Sequence, residues 1–172
     1  MNNLNIFYNS ILNINNKDYE EKIKKIVLEE KRDLISRGLE LDGFCKYLAN
    51  QIEYRIKESL SGVHVYKLDL NDFNLVDHTI LIAEYMTNKK LKRLLIDPSF
   101  TQFIKKDNAY LIKLDKWPGN HLDDFTLSSL EKIGIVEINN ISFNNYLNSF
   151  TNESIDFNLD DYLLENRIGK KI

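Results

Sequence analysis

The stretch that decides the fold is residues 78–98, HTILIAEYMTNKKLKRLLIDP. His78 to Tyr85 is a nearly unbroken apolar run of strand length, which predicts a central strand whose two faces both need cover. Met86 to Lys90 is a polar turn, Leu91 to Ile96 is the return strand, and Asp97-Pro98 ends it because proline has no N–H to give to a ladder. Two strands joined by a short turn form an antiparallel hairpin. Its closure carries Asp97, at the end of the second strand, back beside His78 at the start of the first.

Upstream, Val63 to Leu70 alternates and is rich in β-branched and aromatic residues, a further strand. Before it, Phe44 to Leu60 places Cys45, Leu48, Ile52 and Ile56 on one helical stripe, between a turn at Leu41-Asp42-Gly43 and the stop signal Gly62. Cys45 therefore falls in the first turn of a helix, facing inward. Lys17 to Arg37 carries Tyr19, Ile23, Ile26, Val27, Leu34 and Ile35 at the spacings of an amphipathic helix, closed by Gly38. Downstream, Ala109 to Leu114 reads as a strand, Trp117-Pro118-Gly119 as a loop and Phe125 to Ile133 as a short helix closed by Gly134. Ile135 to Ile138 reads as a strand, and Phe143, Tyr146, Leu147 and Phe150 give Ile141 to Phe150 a helical spacing. The expected architecture is α+β, with N-terminal helices packed on a small antiparallel sheet. We expect one catalytic domain over 1–172, with its core at about 17–150 and residues 151–172 as a peripheral tail.

The bulk properties narrow the function. A chain of 172 residues, 43% hydrophobic, supports one sizeable core. A net charge of −3, with lysines scattered among acids, offers no footprint for nucleic acid or an anionic membrane. No apolar run has the length of a membrane span, and Met1 to Asn16 lacks the basic-then-apolar order of a secretory leader. The expected location is the cytoplasm, or export without a cleavable signal peptide. The single cysteine rules out an intramolecular disulfide or CxxC site and suits a reducing compartment. Phosphate-binding glycine loops, HExxH and GxSxG are absent, so no cofactor or metal is expected. The sequence sets no oligomeric state.

Three residue types with different jobs converge on the hairpin. A cysteine is a nucleophile as its thiolate, which the free N–H groups and positive end of a helix N-terminus favour, and Cys45 is placed there. His78 at the mouth of the sheet is placed to act as general base, and Asp97 to orient its imidazole through the other ring nitrogen. His64, on an alternating strand, is the reserve base; His121 lies in a polar loop and reads as solvated.

Gly43-Phe44-Cys45 opening a helix, Asp77-His78 leading an apolar strand, and Leu95-Ile96-Asp97-Pro98-Ser99-Phe100-Thr101-Gln102-Phe103 together resemble the Cys-His-Asp pattern of the papain-like and transglutaminase-like superfamily. The pattern is especially similar to compact bacterial members that act as toxin or effector proteases and deamidases. The likeness covers about Leu39 to Phe103. It implies a papain/transglutaminase-like core with Cys45 as nucleophile, His78 as general base and acid, and Asp97 as orienting carboxylate. Two departures stand out. Lys31 to Phe44 contains no Gln to donate to an oxyanion, which leaves the Cys45 backbone N–H and Gln102 as candidate donors. His78 is followed by Thr79 and Ile80 rather than an aromatic residue, which argues against cross-linking.

The implied activity is attack by the Cys45 thiolate on the carbonyl of a peptide, protein or acyl-thioester substrate, through an acyl-enzyme. Hydrolysis, as protease or glutamine deamidase, ranks first. Acyl transfer to an amine in peptide or natural-product tailoring ranks second, and a non-catalytic binding domain retaining the fold third.

Overall fold

A computed structural model describes residues 3–41, 43–103, 122–151 and 153–169. Among these residues, four strands form one antiparallel sheet, β1 (His64–Asp69), β2 (Thr79–Thr87), β3 (Lys90–Ile96) and β4 (Ile135–Glu137), lying side by side in that order. The β2–β3 turn is only two residues, Asn88 and Lys89, both in the left-handed region at φ 49° and 63°. That backbone is the one whose twist matches a tight hairpin. It pairs Met86 with Leu91 and Leu81 with Ile96, so the hairpin is longer and its turn tighter than the sequence suggests.

β2 is an inner strand, and its apolar run divides between two cores. Leu81, Ala83 and Tyr85 face the layer formed by α1 (Asn3–Ser36) and α2 (Cys45–Ser59), meeting Ile23, Val27, Leu34, Leu48, Ile52 and Ile56. Ile80 and Ile82 face the opposite layer, with Leu130 of α3 (Asp124–Lys132) and Phe143, Tyr146 and Leu147 of α4 (Asn140–Asn148). Each fully buried aliphatic side chain stabilises the fold by about 1.5–3 kcal/mol, so cover on both faces is what a run without polar alternation requires. The chain is thus an α+β protein, as expected.

Three expectations need adjustment. α1 begins at Asn3, well before Lys17, because its asparagine-rich first half lacks the charged-and-apolar alternation that marks an amphipathic helix. His78 immediately precedes β2 instead of opening it, with its carbonyl accepting the N–H of Leu70 at 2.8 Å. The segment expected as a peripheral tail carries α5 (Leu159–Gly169), whose Leu159 and Leu163 are fully buried in the second core. The strand expected at 109–114, the loop at 117–119 and His121 lie outside the described residues.

The return to α5 is fastened by an asparagine stripe on α4. Asn140, Asn144 and Asn148, one helical turn apart, accept the backbone N–H groups of Leu159, Phe157 and Ile155, each at 2.7 Å. The Asn144 amide also donates to the Phe157 carbonyl at 2.7 Å. A second fastening is ionic. Glu84 of β2, only 1% exposed, accepts Arg93 Nε of β3 at 2.9 Å and also pairs with Arg167 of α5, while Arg93 reaches Asp160.

Candidate active site

The end of the β2–β3 hairpin nearest His78 gathers five chemically distinct side chains. His78 and Asp97 are both fully buried, and His78 Nε2 meets Asp97 Oδ1 at 2.7 Å. Asp97 follows the ladder pair Leu81–Ile96, so strand pairing itself delivers its carboxylate to the histidine. Its other oxygen, Oδ2, accepts the hydroxyl of Tyr146 on α4 at 2.6 Å. The backbone is held as well, since the Asp97 N–H donates to the carbonyl of Gly134 at 2.7 Å. Gly134 sits at φ +89°, and a Cβ there would lie 2.5 Å from Pro98 Cα and 2.7 Å from the Asp97 carbonyl oxygen. Only glycine permits that approach.

Cys45 is the first residue of α2 and is half-buried. Phe44, the N-cap residue, offers no side-chain cap, which leaves the first-turn N–H groups free of a competing side-chain acceptor. The thiol lies within electrostatic reach of His78, and with Nε2 committed to Asp97 the ring nitrogen left to serve it is Nδ1. Gln102, also buried, brings its Nε2 to 3.3 Å from the same Nδ1. Phe103 stands edge-on to the imidazole with ring centroids 5.0 Å apart, and Phe150 lies at 6.5 Å. The imidazole therefore has carboxylate on one side, thiol and carboxamide on the other, and aromatic edges around it.

The electrostatics follow from this arrangement. Burial pulls the His78 pKa down, but the charge and hydrogen bond of Asp97, aided by Cys45, push it up to about 10. Burial also pulls the Cys45 thiol upward. The His78 hydrogen bond, the Thr79 backbone, the imidazolium charge and the Lys46 backbone outweigh it, and the thiol ends below its ordinary value. Both shifts favour a thiolate–imidazolium pair. Tyr146 moves the other way: burial and the charges of Asp97 and Cys45 raise its hydroxyl well above the usual range, keeping it a protonated donor. Lys31 of α1 shares the core-facing stripe of Val27 and Leu34; burial lowers its pKa and the charge of Asp97 partly restores it.

The structure thus brings Cys45, His78, Asp97 and Gln102 together. His64 stands apart, paired with Glu84 at the far end of the β1–β2 ladder from Thr79. Tyr146 also reaches the site, and nothing in the sequence marks it, because its spacing with Phe143, Leu147 and Phe150 is fully accounted for by a buried helix face. Among the described residues there is no cluster of His, Cys, Asp and Glu arranged to hold a metal ion, and no helix is long and apolar enough to cross a membrane. No family model, curated protein sequence or solved structure matches this chain.

Proposed function

We propose that this chain is a cysteine-dependent amide-bond hydrolase, a protease or glutamine deamidase, built on a papain/transglutaminase-like core. The observation that carries the reading is the buried His78, held by Asp97 through Nε2, with the Cys45 thiol within its electrostatic reach. A nucleophile, a proton carrier and an orienting carboxylate in that order are what acyl transfer needs.

The Cys45 thiolate attacks the substrate carbonyl carbon, forming a C–S bond and a tetrahedral oxyanion. The Cys45 backbone N–H and the Gln102 carboxamide are the candidate donors to that oxygen. His78 enters as the imidazolium and gives its Nδ1 proton to the departing amine or ammonia as the C–N bond breaks. Water then surrenders a proton to His78 and attacks the thioester, releasing the carboxylic acid and regenerating the thiolate. Asp97 holds the ring through Nε2 and stabilises the imidazolium.

The test is turnover of peptide and glutamine-amide substrates, with the acyl-enzyme trapped and located by mass spectrometry. Acylation is expected at Cys45 and lost in Cys45→Ala. Asp97→Asn should reduce the rate by about 10⁴-fold, roughly 5 kcal/mol, the loss known for that change in a serine triad. Acylation that persists in Cys45→Ala would overturn the assignment.

A further inference from the structure

We propose that Tyr146 is a positioning residue for this site, locking the Asp97 carboxylate in the rotation that presents Oδ1 to His78. The proposal rests on the triad reading above and goes beyond it by adding a fourth member from the C-terminal half of the chain. A carboxylate presents two oxygens, and one buried away from water must find donors for both. His78 serves Oδ1 at 2.7 Å and Tyr146 serves Oδ2 at 2.6 Å, so the group is gripped from both sides and cannot turn. Tyr146 is itself fully buried and immobilised. Its ring stacks on Phe143 at 6.1 Å with 19° between planes, and Phe150 meets it edge-on at 5.2 Å. A phenol serving only to pack there would need no hydroxyl, and phenylalanine would fill the same space.

Without the hydroxyl, Oδ2 would be an unpaired anionic oxygen in a dry site. The carboxylate would then be less stable as an anion and free to rotate, giving His78 weaker support as an imidazolium and Cys45 weaker support as a thiolate. The charged and titratable groups bearing on this chain of contacts are Cys45, His78, Asp97, Tyr146 and the Lys31 ammonium of α1.

The experiment is the pH dependence of Cys45 alkylation by iodoacetamide in the full chain, compared among wild type, Tyr146→Phe, Phe143→Leu and His78→Ala. Tyr146→Phe should move the acid limb of the profile upward by about one pH unit, roughly a tenfold slowing at any pH on that limb. Phe143→Leu, which loosens the same packing without touching Asp97, should lower stability and leave the limb in place. Site-specific 3-fluorotyrosine at 146 keeps the ring and hydroxyl but donates more strongly. It should move the limb downward, and it covers the case in which Tyr146→Phe does not fold. Limbs coincident with wild type in both Tyr146 variants would overturn the proposal. An unshifted limb in His78→Ala would instead overturn the triad reading on which it stands.

Discussion

The Gly134 carbonyl accepts the N–H of Asp97 at 2.7 Å, while the missing Cβ of Gly134 leaves room for the Asp97-Pro98 backbone to pass. A glycine at the end of α3 thereby sets the position of a carboxylate on the sheet.

Gly134→Ala should therefore act on stability and on activity together. The positive φ alone costs a non-glycine residue about 1–2 kcal/mol, and a methyl 2.5 Å from Pro98 Cα forces the backbone to shift. Denaturant titration should show a loss of at least that size, and turnover should fall further than the unfolded fraction explains. Activity that simply tracks the folded fraction would mean that Asp97 is placed without help from Gly134.

The ionised pair makes a prediction about pH. His78 has its folded pKa raised to about 10, so its contribution to stability is complete below its ordinary value of about 6.5 and is lost as pH rises through about 10. Cys45, depressed, contributes above its ordinary thiol range and loses that contribution as pH falls through its folded value. Between pH 7 and the ordinary thiol value of 9.0 the two contributions change in opposite directions and offset each other, because the charged pair holds as many protons as a neutral thiol and imidazole. Above that value only the His78 loss remains, so unfolding free energy should decline more steeply there in wild type than in His78→Gln, and parallel curves above it would show that His78 is not held charged in the folded protein.

Glu84 separates fold from chemistry. Glu84→Ala removes the buried carboxylate shared by Arg93 and Arg167, leaving Arg93 with Asp160 and Arg167 with the Tyr66 hydroxyl, which should cost about 3 kcal/mol. That is the low end for breaking a buried pair, because the Arg167 side chain remains 36% exposed. The pH profile of Cys45 alkylation should not move, since Glu84 lies at the other end of β2 from His78. A changed profile would reveal a connection along the strand that the hydrogen bonds do not contain.

Asn144→Ala removes both backbone bonds to Phe157 and should cost about 1–3 kcal/mol. Limited proteolysis should then cut first between residues 151 and 158, ahead of any site in α2 or the sheet. An unchanged cleavage pattern would show that the buried Leu159 and Leu163 hold α5 without the asparagine stripe.

The hairpin, the helix that opens on Cys45 and the return of Asp97 to His78 were legible because each is a local matter of periodicity or turn chemistry, joined by one short closure. Tyr146 was not, since 49 residues separate it from Asp97 and its period is that of any buried helix face. The docking of 151–169 was hidden by composition. Leu159 and Leu163 are an apolar pair amid acids, and the asparagines that hold the segment resemble a compositional bias, although their spacing of four is that of a helical stripe. Glu84 gave no sign of its role, because a single acid in an apolar run does not name its arginine partners.

The division of β2 between two cores has a consequence for the life of the chain. Cys45 belongs to the layer made by the first third of the sequence, whereas Tyr146 belongs to a layer completed only after α4 and α5 are available. Until α4 is in place, Asp97 Oδ2 lacks the Tyr146 hydroxyl, so a growing polypeptide can bring Cys45, His78 and Asp97 together but completes the support of that carboxylate only with the last third of its sequence.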